Sequence, residues 1–296
     1  MARAASILRA GGLVAFPTET VYGLGANALD TDAVRKIFTA KERPGWDPLI
    51  VHVSDLAMAR TLARALPPVF ETLAARFWPG PLTMVVEKAA CVPEEVTARR
   101  PTVALRMPRH PVAQALLAAA QLPIAAPSAN RFGRPSPTCA EHVVADLGDR
   151  VDLILDAGPT ELGVESTVLD LTQSPPVILR PGGVTREELG GLRVVGGVAD
   201  EVAAKGLAGP GMTLKHYAPR AAVEIFEDEA ALQARATELR GRCVGVLVPT
   251  AKNLFAELRR LDAEGVDVIL CVLPAAEGIG LAVRDRLQRA AGGRRA

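Results

Sequence analysis

Residues 14–53 read VAFPTETVYGLGANALDTDAVRKIFTAKERPGWDPLIVHV. A short apolar run enters a polar, glycine-punctuated turn that carries Thr18, Glu19, Thr20 and Tyr22. Helical spacing then takes over, with Val34, Ile37 and Phe38 at i, i+3 and i+4 behind Asp30 or Thr31 as N-cap. The stretch closes on a second apolar run, LIVHV. Strand, helix and strand in succession are the pattern of an α/β chain. No glycine-rich phosphate loop ending in Gly-Lys-Ser/Thr occurs, so Lys41 and Arg43, just after the helix, point to an anion held in some other way.

Outward from this stretch the alternation continues. Strands are expected at LVAFP (13–17), LIVHV (49–53), LTMVVE (82–87), TVALRM (102–107), PIAA (123–126), VDLIL (151–155), STVLDL (166–171) and PVILR (176–180). Ser54 is the expected cap of the helix that follows LIVHV, and Thr138 with Glu141 has the spacing of a capping box. The last of these strands succeed one another without helices, which predicts a mixed sheet rather than a parallel dinucleotide fold. Residues 196–220 are rich in glycine and alanine and read as a linker, yet they contain Met212, Lys215, His216 and Tyr217. From AVEIF (222–226) onward strands and helices alternate again. The expected division is a catalytic domain over 1–195, a linker or lid over 196–220, and a small three-layer α/β domain over 221–296.

The chain has 296 residues, 34 Lys+Arg against 33 Asp+Glu, and a formal net charge of +1. No global field draws it to nucleic acid or to an anionic membrane, so no stable nucleic-acid binding and no membrane association are expected, and any anion site is local. The four cysteines stand far apart with no C-x-x-C pair, which argues against a metal site and a disulfide framework and suits a cytoplasmic location. Lysine occurs six times against 28 arginines, so a lysine beside a motif attracts notice.

Several polar residues fall at element ends. Pro44 disfavours helical geometry at Arg43, and in extended chain positions i and i+2 share a face, so Lys41 and Arg43 could clamp a phosphate or be solvated charges after a helix. Ser128 and Asn130 lie two apart in a proline-rich loop that could serve a ligand or its own backbone. Arg106 interrupts an apolar strand and requires a partner, either a ligand carboxylate or an internal Asp or Glu. His52 is either a satisfied core residue or a ligand contact. Ser166 and Thr167 open one strand and Arg180 ends another, the positions where α/β proteins place ligands. Hydroxyls, amides and cations without a nucleophile–His–Asp set or metal cluster suit a reaction catalysed by positioning and charge stabilisation, such as nucleotidyl transfer.

The motifs FPTETVYGLGANA, KERP, PLIVHV, WPGPLTMV, TVALRMP, APSANRFGRPSPT, GVESTVLDL, ILRPGGVTREEL and GPGMTLKHYAP, in this order over nearly the whole chain, resemble the two-domain YrdC-like family of threonylcarbamoyl-adenylate synthases. The resemblance implies a mixed twisted sheet with helices around a concave cleft, plus a small C-terminal Rossmann-like domain. It implies formation of threonylcarbamoyl-AMP and pyrophosphate from L-threonine, bicarbonate and ATP with Mg²⁺, for a downstream tRNA threonylcarbamoyl transferase. By the same resemblance Thr20, His52, Arg106, Ala126 and Ser166 contact threonine. Lys41, Arg43, Asp47, Thr102, Ser128, Asn130, Ser136, Arg180 and Tyr217 contact the nucleotide, with Lys41 and Arg43 catalytic. Asp47 stands where the family usually has Asn, and a carboxylate there repels the ATP phosphates unless it meets Mg²⁺. Two other readings are an RNA-binding module, disfavoured by the charge balance, and a carbamoyl-phosphate-dependent enzyme of the hydrogenase-maturation type, whose cysteine pairs this chain lacks.

Overall fold

The computed structural model describes residues 1–194 and 216–292. Strands β1 (Val14–Phe16), β2 (Gly23–Asn27), β3 (Ile50–His52), β4 (Leu82–Glu87), β5 (Thr102–Arg106), β6 (Ile124–Ala125), β7 (Leu153–Ile154), β8 (Thr167–Asp170) and β9 (Val177–Arg180) form one mixed sheet in the order β7-β1-β2-β6-β3-β5-β4-β8-β9. Helices α1 (Ala2–Arg9), α2 (Thr31–Lys41), α3 (Leu56–Leu62), α4 (Pro68–Phe77), α5 (Glu94–Thr97), α6 (Pro111–Ala120) and α7 (Ala140–Leu147) surround it.

Three local expectations are corrected. The turn after β1 ends early, because Gly23–Asn27 is itself a strand, antiparallel to β1 with Phe16 opposite Gly23. Glycine is a poor strand former, but a Cβ on Gly25 would sit 2.8 Å from the side chains of Ile124 and Phe16, so packing demands the residue that hides the strand. Helix α3 is capped by Asp55, which accepts from the Met58 N–H, while Ser54 donates its hydroxyl to Asp55. Cys139, not Thr138, precedes α7, and both the backbone N–H and the hydroxyl of Thr138 meet His142 Nδ1 instead of forming a box with Glu141. At α2 the reading holds: the Asp30 carboxylate accepts from the N–H groups of Asp32 and Ala33, and Val34 and Ile37 are buried.

The two faces of the sheet differ. Val51 and Leu105 point into the main core with Leu24, Met84 and Leu169. Their neighbours one residue along, Ile50 and Ala104, belong to a thin cluster with Val85, Val168 and Leu179 on the opposite face. Parallel pairing sets Ile50 opposite Ala104 and His52 opposite Arg106, so the period-two rule places His52 and Arg106 on this second, thinly covered face. That face is the floor of the cleft described below.

A second sheet of three parallel strands, β10 (Ala222–Phe226), β11 (Val244–Leu247) and β12 (Val268–Val272), has the order β10-β12-β11. Leu232 of α8 (Glu229–Glu238) packs with Val268 and Leu270. On the other face Phe255 and Leu258 of α9 (Leu254–Ala263) and Leu287 of α10 (Gly280–Ala290) pack with Ile269 and Cys271, completing three layers. Val21 and Val164 from the first unit join this core, and Arg259 donates to Asp146 at 2.6 Å, so the units are joined by both apolar and ionic contacts. Met212, Lys215 and most of the expected linker lie outside the described residues.

Candidate functional site

Loops above the second face of the large sheet form a cleft that is partly open to solvent. Thr18, Thr20 and Val21 enter from the turn after β1, and His52 and Arg106 from the ends of adjacent parallel strands. Ala126 and Ser128 follow β6, Glu165 and Ser166 precede β8, and Arg180 ends β9. Arg43, His216 and Tyr217 complete the ring. Thus Thr20, His52, Arg106, Ala126 and Ser166 come together, as do Arg43, Ser128, Arg180 and Tyr217, while Lys41, Asp47, Asn130, Ser136 and Thr102 lie outside the lining.

Each outlying residue has a definite place. Lys41 is the last residue of α2, and Glu42 adopts φ 55°, so Lys41 and Arg43 are not in the extended stretch that would make them a matched clamp. The Lys41 ammonium instead donates to the carbonyls of Ser128 and Asn130, tying down the loop that presents Ser128. Burial first, then the charge of Arg43, drives its pKa well below the ordinary lysine value. Asn130 gives its amide to the carbonyls of Arg131 and Arg134 at 2.7 and 2.9 Å, so its NH₂ group serves its own loop. Asp47 is fully buried 2.9 Å from Arg43, which also donates to the Pro48 carbonyl at 3.0 Å. The carboxylate at the family's Asn position is therefore paired with an arginine of the cleft. Thr102 shares the floor face with Ala104 and Arg106 but lines a second, smaller cavity with Arg100 and Leu49.

Arg106 answers its requirement for a partner internally: Nη2 lies 2.8 Å from Glu19 Oε1, and the other oxygen of Glu19 accepts from the Arg109 N–H at 3.0 Å. Burial raises the Glu19 pKa, but the charge and hydrogen bond of Arg106 outweigh it and leave the carboxyl below its ordinary range. Arg180 donates to the Ser166 carbonyl at 2.9 and 3.2 Å, and the Ser166 hydroxyl lies 2.8 Å from that of Thr83. Tyr217 takes the left-handed φ of 61°, a conformation that costs a non-glycine residue roughly 1–3 kcal/mol. It is fixed by Phe255, 5.3 Å away between ring centroids, and by the Ala218 N–H, which donates to the Gly133 carbonyl at 2.7 Å. Glu19, Glu165 and Thr18 are cleft or near-cleft residues that the motif reading assigned no role.

Both cleft histidines are neutral at pH 7. Burial, then Arg106, lowers His52 from 6.5 to about 3, and burial, then Arg43, holds His216 well below 6.5. The unfolded chain takes up these protons near the ordinary value while the folded chain refuses them, so this stability is intact above that value and is lost as pH falls toward the folded pKa values. At about pH 5 the expected loss from His52 is about 2 kcal/mol, and His216 adds a loss of the same sign. Thermal melts between pH 8 and 5 should show Tm falling chiefly on the acid side; a flat profile would mean that the rings are protonated in the fold.

Fold and lining define an α/β protein with an arginine- and hydroxyl-rich ligand cleft. The Sua5_yciO_yrdC family model, described as telomere recombination, matches residues 6–182, and the Sua5_C model, described as the threonylcarbamoyl-AMP synthase C-terminal domain, matches residues 184–292. The chain belongs to this Sua5/YciO/YrdC family. It is 45% identical to the threonylcarbamoyl-AMP synthase of Pyrococcus abyssi over 98% of this chain and 93% of that protein. The Bacillus subtilis threonylcarbamoyl-AMP synthase is 45% identical over 99% of this chain and 93% of its own length. The crystal structure of P. abyssi Sua5 complexed with L-threonine matches with a TM-score of 0.94 and 44% identity, covering 99% of this chain and 94% of that one. Among the described residues no helix is long and apolar enough to cross a membrane.

Proposed function

We infer that this chain condenses L-threonine, bicarbonate and ATP into threonylcarbamoyl-AMP and pyrophosphate, and that a tRNA threonylcarbamoyl transferase consumes the adenylate to modify the adenosine beside the anticodon. The observation that carries the reading is full-length likeness to proteins named for this activity, combined with a cleft that gathers Thr20, His52, Arg106, Ala126 and Ser166.

In this reading Arg106, fixed by Glu19, meets the threonine carboxylate. The threonine nitrogen bonds to the bicarbonate carbon with loss of water. A carbamate oxygen then bonds to the α-phosphorus as the bond to the β-phosphate oxygen breaks, and pyrophosphate leaves with that electron pair. Threonine enters the first step as the free amine, its ammonium proton having gone to solvent. The oxygen that attacks phosphorus is already anionic, so that second step needs no side-chain base, and neutral His52 serves as a hydrogen-bonding group. Arg43 and Arg180 stabilise the charge gathering on the phosphates, while Lys41 acts through the 128–130 loop. Among the described residues no group of three or more His, Cys, Asp and Glu could hold a metal. The cleft carboxylate Glu165, and Glu19 and Asp47 behind the lining, face arginines. In this reading Mg²⁺ arrives with ATP as part of the substrate.

Pyrophosphate release measured with ATP and Mg²⁺ should require both L-threonine and bicarbonate. Release that continues at full rate without either one would overturn the reading.

A further inference from the structure

The C-terminal unit sends one side chain to the back of the cleft wall. Arg286, on α10, is wholly buried; its Nε donates to Glu165 Oε2 at 2.8 Å and its Nη2 to the Pro181 carbonyl at 3.0 Å. The other oxygen of Glu165 accepts from the Ser136 hydroxyl at 2.5 Å, and Glu165 itself lines the cleft. The guanidinium carbon lies 5.3 Å from the centroid of the Tyr217 ring, and Asp285 closes on the same guanidinium at 2.6 Å. One arginine thus touches a lining carboxylate, a lining aromatic ring and the backbone next to Arg180.

A carboxylate in the wall of a cleft that receives a polyphosphate repels its ligand, and the repulsion grows as water is excluded. Arg286 supplies the opposing charge from outside the lining. Arg180 also acts on Glu165, but it has the phosphates to serve, whereas Arg286 is absent from the lining and faces the carboxylate from behind.

We propose that Arg286 is a positioning residue for the nucleotide: by neutralising Glu165 and fixing Ser136, Pro181 and Tyr217 it lets the wall beside Arg180 accept the ATP phosphates, making the C-terminal unit part of the nucleotide site. The proposal rests on the reading of the cleft as an ATP site. A purely structural staple would weaken every ligand alike when cut, whereas a counter-ion to Glu165 protects the anionic nucleotide in particular, and its loss is repaired by removing the charge it balances.

The test titrates the full chain calorimetrically with a non-hydrolysable ATP analogue plus Mg²⁺ and, separately, with L-threonine. Arg286→Met should weaken analogue binding by about tenfold or more and leave threonine affinity within about twofold, and the Glu165→Gln/Arg286→Met double variant should return analogue affinity to within about threefold of the parent. Unchanged analogue affinity, parallel loss of both ligands, or a double variant no better than the single one would overturn the proposal. If Arg286→Met does not fold, the double variant decides alone: affinity within about threefold of the parent supports the proposal and a loss of about tenfold overturns it. A parent chain that fails to bind the analogue brings down the ATP reading and this proposal together, whereas a binding parent with an unaffected Arg286→Met brings down the proposal alone.

Discussion

Valine offered in place of threonine is expected to lower kcat/KM for pyrophosphate release by roughly 10⁴-fold, and serine by only ~10–200-fold. The difference lies in what each analogue leaves behind. Serine lacks a methyl group, which forfeits ~1–3 kcal/mol of apolar contact. Valine has the shape of threonine but presents a methyl where the hydroxyl belongs. The cleft is furnished for hydroxyls: Thr18, Thr20, Ser128 and Ser166 line it, and the buried His52 Nδ1 has no hydrogen-bond partner among the described residues. A valine complex leaves such groups dehydrated and unpaired, a heavier cost than an unfilled space. Steady-state pyrophosphate assays with the three amino acids check this, and valine turnover equal to that of serine would remove threonine as the assigned substrate.

The parts of the fold legible in the sequence are those where local chemistry and tertiary demand agree. Asp30 caps α2 as its side chain predicts, and the apolar runs from LIVHV to PVILR all contain strands. Strand β2 was hidden because its glycines answer to Phe16 and to Ile124, a neighbour about a hundred residues away in sequence. The site divides in the same way. Motifs placed Arg106, His52 and Ser166, but the partners that hold them arise from the fold. Arg106 meets Glu19 at a sequence separation of 87, and Arg286 meets Glu165 at a separation of 121. One signal was available for the first: Glu19 lies in the same turn as Thr20, and Arg106 needs an internal or ligand carboxylate. GVESTV offers a similar hint, since a glutamate between an apolar residue and a strand requires a cation. Nothing local identifies that cation as an arginine of the final helix.

Arg106→Ala should have two separable consequences. Without its partner, Glu19 becomes a buried uncompensated carboxylate, and breaking such a pair costs about 3–5 kcal/mol of stability. The threonine carboxylate also loses a charge-assisted contact worth ~1.5–3 kcal/mol, which should raise the threonine KM roughly ten- to hundredfold with much less effect on that for ATP. Adding Glu19→Gln separates the two: a neutral amide does not demand a cation, so the double variant should regain much of the lost Tm while its threonine KM stays high. Arg43→Ala should show the reverse substrate profile, weakening ATP use first, since in the proposed reading Arg43, a lining residue with Asp47 as its counter-ion, serves the phosphates. Thermal melts and substrate titrations on these variants give independent readings of fold and site. If Arg106→Ala and Arg43→Ala alter both substrates equally even after Glu19→Gln has restored Tm, then threonine and ATP do not divide between these two arginines.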